Sequence, residues 1–252
     1  MITNLADSGK KRVEQVTQAV ENEFVHPLLR GKDVGRWTAD HALWIILPQQ
    51  PENPAKAISV AQLKRNSPKT FAYFRQFESD IRSCALLAQF FDPEKDPFYS
   101  SYNIGSYTFA PFKVVWKEIC PEIEAAVIVG KNPMVIPDHK LVLVDCRSAE
   151  EAYFLGGILN STPISLLVRA YATHTSISGH ISEFAALPTF NRKVTEHVKI
   201  ATIAKQCHDL AEAESPKLNE AEHKLDELVA KIWNITHADL DIMREELNLL
   251  RG

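Results

Sequence analysis

The sequence predicts a mixed α/β fold, α+β in type, with helices gathered toward its C-terminal end. Three observations carry that prediction. Short runs rich in β-branched residues, separated by turn residues, lie at 113–116, 125–129 and 141–145. Residues 148–159 and 164–171 switch to helical spacing. From 197 onward the chain reads as helix, and Leu218, Ala221, Leu225, Leu228, Val229, Ile232 and Trp233 form one apolar stripe among Glu and Lys.

The remaining elements follow from local chemistry. Residues 10–24 are expected to form an amphipathic helix, with Val13, Val16, Val20 and Phe24 on one face and Pro27 ending it. Residues 28–34 form a tight connection punctuated by Gly31. A short buried strand over 42–47 closes at Pro48, and 49–54 is a polar loop containing proline. Residues 60–89 read mostly as helix, broken once at Pro68, with Phe71, Phe74, Phe77, Ile81, Cys84 and Leu87 at three- and four-residue steps. Residues 93–111 hold three prolines and several rings without a period, as in a structured loop. Ser148 followed by Glu151 is a capping box. Residues 174–180 are a polar loop, 184–190 an extended exit through Pro188, and Thr236 with Asp239 starts a last short helix. These assignments divide the chain into an N-terminal helical segment (1–23), a central domain (24–195) and a C-terminal helical segment (196–252).

Composition is that of a globular protein: 252 residues, 45% hydrophobic and 24% charged. No apolar run reaches the roughly 18 residues of a membrane span, and the first residues lack a signal-peptide layout. Cys84, Cys120, Cys146 and Cys207 are far apart, without zinc-ligand spacing, so four reduced and mostly buried thiols in a cytoplasmic protein are expected. The net charge of −4 does not advertise a nucleic-acid binder. Its distribution is uneven, however. Residues 196–252 carry 12 acidic and 7 basic side chains, a net of −5, which leaves +1 for the rest.

Catalytic signatures are missing from the sequence. There is no Gly-x-Gly-x-x-Gly and no P-loop. The adenine methyltransferase box, Asn/Asp-Pro-Pro followed by an aromatic, does not occur either. Its nearest string, Lys131-Asn132-Pro133-Met134, reads as a turn. Glu222-His223-Lys224 fits a nuclease-like string, but positions two apart on a helix diverge, so it reads as decoration of an exposed face. Pro137-Asp138-His139-Lys140 reads as a turn feeding a strand. His174, His180 and the pair Cys207-His208 assemble no set of three or four metal ligands.

Two stretches stand out as binding candidates. Residues 102–119 pack aromatic rings with Lys113, Trp116 and Lys117, a mixture that offers stacking surfaces and phosphate contacts. The same composition describes a core strand with inward aromatics equally well. Residues 173–180 combine His174, Thr175, Ser176, Ser178 and His180, which can hydrogen-bond phosphates or base edges. Taken alone, that segment reads as a plain polar loop.

Several strings together resemble one family. Residues 24–34, with Pro27-Leu28-Leu29-Arg30-Gly31-Lys32-Asp33-Val34, resemble the "PLLRGRDV" signature that opens the specificity region of type II N6-adenine DNA methyltransferases fused to restriction enzymes. Residues 105–117 resemble their "YTFAPYKVVWK" stretch, 136–141 their "PDHKL" strand entry, and 153–161 the helix and "LNS" turn that follow. The likeness continues through 175–183 to the terminal helix at 225–233, so it runs in order over nearly the whole chain.

The resemblance implies a TaqI-like target-recognition fold with C-terminal helices, related to the recognition domains of type I specificity subunits. It implies a module of a restriction-modification system that reads double-stranded DNA in the major groove. It also implies a methyltransferase or restriction polypeptide as partner, and no membrane. The catalytic half is absent, so no catalytic residue and no metal are expected here, and S-adenosylmethionine is expected only on the missing part. A chain arranged in this way is expected to be a fragment, a split-gene subunit or an engineered piece. The candidate DNA-binding residues are Arg30, Lys32, Arg36, Lys113, Trp116, Lys117, Lys140, His174, Thr175, Ser176, Ser178 and His180. The alternative is a protein-interaction subunit of such a system without DNA binding of its own, which the net charge and the amphipathic C-terminal helix favour.

Overall fold

A computed structural model describes residues 1–8, 11–130, 132–171, 181 and 185–251, apart from the side chains of Leu86 and Tyr171. The fold is mixed α and β with small sheets. Twelve strands occur among the described residues: β1 (Ile2–Thr3), β2 (Thr17–Gln18), β3 (Val25–Leu29), β4 (Val34–Gly35), β5 (Thr38–Ala39), β6 (Leu43–Ile46), β7 (Gln49–Gln50), β8 (Asn53–Ala57), β9 (Phe112–Lys117), β10 (Ala126–Val129), β11 (Ile136–Pro137) and β12 (Leu141–Cys146). The α-helices are α1 (Val60–Asn66), α2 (Pro68–Gln76), α3 (Glu78–Arg82), α4 (Ala85–Phe90), α5 (Ala149–Leu159), α6 (Thr162–Tyr171), α7 (Thr195–Glu212), α8 (Leu218–Ile232) and α9 (His237–Arg251). Among the described residues, no helix is long and apolar enough to cross a membrane.

Two compact units divide the chain, one of Met1–Pro27 with Trp44–Phe109, the other of Leu28–Leu43 with Ala110–Gly252. The boundary expected after residue 195 falls inside the second unit. That unit holds the three helices after 194, and two of them, α7 and α8, share a core with the strands.

In the first unit, where a helix over 10–24 is expected, residues 11–21 run without helix and Asn22–Phe24 form a 3-10 turn. β2 pairs antiparallel with β1, placing Ile2 opposite Gln18. The Asn4 side chain holds the connection by donating to the Glu14 carbonyl (2.9 Å) and accepting from the Val16 amide (2.7 Å). Val13, Val16, Thr17 and Val20 are β-branched, which lowers helix propensity, and their three-residue spacing is compatible with either state. Glu21 leaves this segment to cap α2. Its carboxylate accepts from the amides of Lys69 (3.0 Å) and Thr70 (2.7 Å) and from the Thr70 hydroxyl (2.7 Å). Desolvation pushes the Glu21 carboxyl up, but these hydrogen bonds outweigh it and hold the pKa at about 2.

The stretch 60–89 breaks more often than its apolar spacing suggests. Pro68 starts α2, and further breaks fall at Phe77 and at Ser83–Cys84. Residues 49–54, expected as loop, contribute to the β7–β8 hairpin. Phe24, Ala57, Leu63, Phe98 and Tyr99 form this unit's core.

The second unit is built on β9, flanked antiparallel by β10 and β12. Val114 and Trp116 face one cluster, shared with α5, α7 and α8. Val115 faces another, with Leu29, Val34, Ile128, Val135 and Leu141. With both faces covered, the strand needs no polar alternation, and it reads as a near-continuous apolar run. The helix α5 starts at Ser148, whose hydroxyl accepts from the Glu151 amide (3.1 Å). It lies close on both sides. A Cβ at Gly156 would stand 2.8 Å from Val127 Cγ2, and one at Gly157 would meet Ala204 and Ile200 at 3.0 and 3.1 Å. Thr236 caps α9, accepting from the Asp239 amide (3.2 Å).

A buried polar knot ties these layers together. Asn160, at the end of α5, donates to the Ala125 carbonyl and accepts from the Ala125 amide, both at 2.8 Å. Its own carbonyl accepts from the Arg36 guanidinium (2.6 Å), and the Ala125 carbonyl also accepts from the Trp37 amide (3.0 Å). Asn160→Ala would orphan the Ala125 amide in the core and is expected to destabilise the protein by about 2–3 kcal/mol. Urea denaturation should show a lower midpoint with an unchanged slope.

Candidate functional site

The strand β11 pairs parallel with the last residues of β3, setting Ile136 beside Leu28 and Pro137 beside Leu29. Parallel strands end in the same direction, so the turns that follow them are neighbours in space. The first turn is a single 3-10 turn over Gly31–Asp33. Asp33 stabilises it, accepting from the Arg30 amide (2.9 Å) while its own amide donates to the Arg30 carbonyl (2.8 Å). The second turn starts where the Asp138 amide donates to the Leu29 carbonyl (2.7 Å), and it closes through the Leu141 amide to the Asp138 carbonyl (3.0 Å). The Lys140 carbonyl accepts from the Glu118 amide (3.0 Å), which brings the end of β9 to the same place.

This corner carries Arg30, Lys32, Lys117, His139 and Lys140. Lys32 and Lys140 are exposed, and a Cβ added at Gly31 would meet nothing within 4 Å. The outer side of the turns is therefore open. Arg30 lies 3.6 Å from Asp33, and Lys117 is paired with Glu124 at 2.5 Å. His139 is paired with Asp138. Two lysine ammoniums thus project beyond a set of internally balanced pairs. Such an arrangement can hold anionic oxygens as point charges without reading their geometry.

Three expected contacts lie elsewhere. Lys113 is 0% exposed, and its ammonium donates to the Val135 carbonyl at 2.9 Å. Burial lowers its pKa to about 8. Trp116 is 1% exposed and belongs to the main core. Both are withdrawn from the surface because the sheet is covered on its two faces, so the inward-aromatic reading of 112–117 describes them. Arg36 is turned inward, donating to Glu222 (2.5 Å) and to the Asn160 carbonyl (2.6 Å). His174, Thr175, Ser176, Ser178 and His180 lie outside the described residues.

Glu222 overturns another expectation. It does not decorate an exposed face, because it is the shared acceptor of Arg36 and of the Trp37 indole N–H (2.6 Å). One turn further along α8, buried Asp226 accepts from the Thr162 amide (2.8 Å) and hydroxyl (2.7 Å). The signal available in the sequence was position: Glu222 and Asp226 each follow a residue of the apolar stripe, Ala221 and Leu225, and so border the buried face.

A second polar locus lies within the same unit. His208 on α7 stands edge-on to the rings of Trp37 (5.2 Å) and Tyr153 (5.5 Å). Burial lowers its pKa to about 4, outweighing the opposing influence of the Trp37 backbone. Cys84 is exposed, Cys120 and Cys146 are partly buried and Cys207 is buried. Desolvation raises the pKa of the latter three thiols, that of Cys207 to about 12. Among the described residues, no group of three or more His, Cys, Asp or Glu is placed to hold a metal ion.

No protein-family model matches the chain. A search of curated proteins likewise gave no match.

The depressed His208 pKa ties stability to pH. The folded protein disfavours the imidazolium, so this contribution is complete above the unfolded value of 6.5 and is lost as pH falls toward 4. Denaturation between those values should show stability falling by up to about 3 kcal/mol, and His208→Phe should flatten that slope.

Proposed function

We propose that this chain is a sequence-specific recognition module for double-stranded DNA, serving adenine-N6 methylation or restriction whose chemistry is supplied by a partner polypeptide. The support from sequence is the ordered set of strings resembling the specificity region of N6-adenine methyltransferases. The geometric observation that carries the reading is the parallel register of β3 and β11. It sets the Arg30–Asp33 turn and the Asp138–Lys140 turn, 108 positions apart in the chain by the paired residues Leu28 and Ile136, side by side. Both turns belong to those strings, and the exposed Lys32 and Lys140 rise from them. Exposed lysines suit phosphate anchoring, and base discrimination would rest on other side chains. In this reading the module performs no catalysis of its own, and S-adenosylmethionine would be bound by the partner.

One observation favours a second reading, a subunit whose main partner is protein. Ile242, Leu249 and Leu250 on α9 are 58%, 74% and 50% exposed, and they lie in the segment 196–252, whose net charge is −5. Apolar side chains on an acidic helical surface suit protein rather than phosphate.

Fluorescence anisotropy on a random-site duplex library, with and without an N6-adenine methyltransferase catalytic polypeptide, separates the two readings. DNA recognition requires enrichment of a site. It also requires the double variant Lys32→Glu with Lys140→Glu to weaken binding by about tenfold or more and to lower the salt slope by roughly 2. Lys113→Met should leave affinity unchanged, since its ammonium is spent on a backbone carbonyl. Absence of enrichment in both arms would overturn the DNA reading.

A further inference from the structure

The helices α7 and α8 leave an open groove of about 390 Å³ between them. Val198, Ile203 and Leu228, each half-buried, give it an apolar floor. Lys199, Lys224 and Lys231 border it, all exposed, against a single acid, Glu227. Lys224 is held by Glu220 at 2.7 Å, whereas Lys199 and Lys231 make no ion pair or side-chain hydrogen bond among the described residues. Two uncommitted ammoniums thus flank an apolar floor, within a segment whose own net charge is −5. Such a groove suits a segment that is both apolar and acidic.

The helix α9 carries the reciprocal pattern. Leu240 and Leu247 turn inward and are buried. The helical repeat sets Ile242, Glu245 and Leu249 on the opposite side, with Glu246 beside them, and all four are exposed. Glu245 and Glu246 make no ion pair or side-chain hydrogen bond among the described residues. Docking of a helix into a groove uses apolar anchors at this seven-residue spacing, here with two carboxylates between them. The inner face of α9 rests on α6, so the outer stripe points away from its own chain. What covers it has to come from another molecule.

We propose that the outer face of α9 docks into the α7–α8 groove of a second copy of this chain. Ile242 and Leu249 then lie on the apolar floor, and Glu245 and Glu246 face Lys199 and Lys231. The occupant is a second copy because the chain itself supplies the apolar spacing and the charge sign that the groove requires. The inference does not rest on DNA recognition, and its test contains no DNA, so either can fail alone.

Sedimentation velocity of the full chain from about 1 μM to 1 mM should show self-association that rises with concentration and weakens with added salt. The double variant Lys199→Glu with Lys231→Glu should weaken it by about tenfold or more, and so should Glu245→Lys with Glu246→Lys. Mixing the two variants puts opposite charges back across the contact and should restore association to within about threefold of the unaltered chain. Replacing the anchors, Ile242→Ser with Leu249→Ser, should weaken association by about tenfold or more as well. All the substituted residues are exposed, and an unchanged far-UV spectrum checks that each variant is folded. A monomer over the whole range, measured on the unaltered protein, overturns the proposal without recourse to any variant. Charge reversals without effect, or folded variants that stay apart when mixed, overturn it too. So does a chain that associates only once a methyltransferase polypeptide is added, which would assign the groove to that partner.

Discussion

Asn160 holds the second unit together. Its amide clasps both backbone groups of Ala125, and its carbonyl receives Arg36. Arg36 and Trp37 then converge on Glu222, while Thr162, two residues past Asn160, reaches Asp226 on the same helix. Four separate stretches of chain are thereby joined by hydrogen bonds in an apolar surround. Each bond contributes only about 0.5–1.5 kcal/mol net, but every one left unmade would cost more. A network of this kind acts on specificity of packing: α8 can seat on the α5–α6 turn in one register only, because a slip of one residue would bury Glu222 and Asp226 without donors.

That seating has consequences for the sheet. With α5 pressed on one face, through Gly156 against Val127 of β10, and Leu29, Val34 and Val135 on the other, β9 becomes a strand buried on both sides. Lys113 is then forced to spend its ammonium on the Val135 carbonyl, where burial lowers its pKa. Of the lysines on these strands and their turns, Lys32 and Lys140 stay exposed, on the turns after β3 and β11.

The legible parts of the fold were those where one local rule dominated. The strands at 112–117, 126–129 and 141–146, the Ser148 and Thr236 caps, and the stripe on α8 all appear where the pattern places them. Val13, Val16 and Val20, at three- and four-residue steps, satisfy a helical template, yet the chain around them runs extended and pairs through Thr17–Gln18 as β2. The breaks at Phe77 and Ser83–Cys84 carry no proline or glycine, so nothing local announces them. At the candidate site, Lys32 and Lys140 stay on the surface, but Lys113 and Trp116 were placed among surface candidates although a two-sided apolar strand has no period from which to read direction.

The sequence by itself determined the class of the fold, the positions of its best-capped helices and the short strings that resemble a recognition domain, because each rests on residues within about one turn or one strand of each other. Only the tertiary structure decided that turns 108 positions apart share a corner and that Glu222 is a hub rather than a solvated charge. Those properties come from strand register and helix seating. Register is set by long-range pairing, and no local pattern of charge or hydropathy encodes which distant backbone will satisfy a given amide.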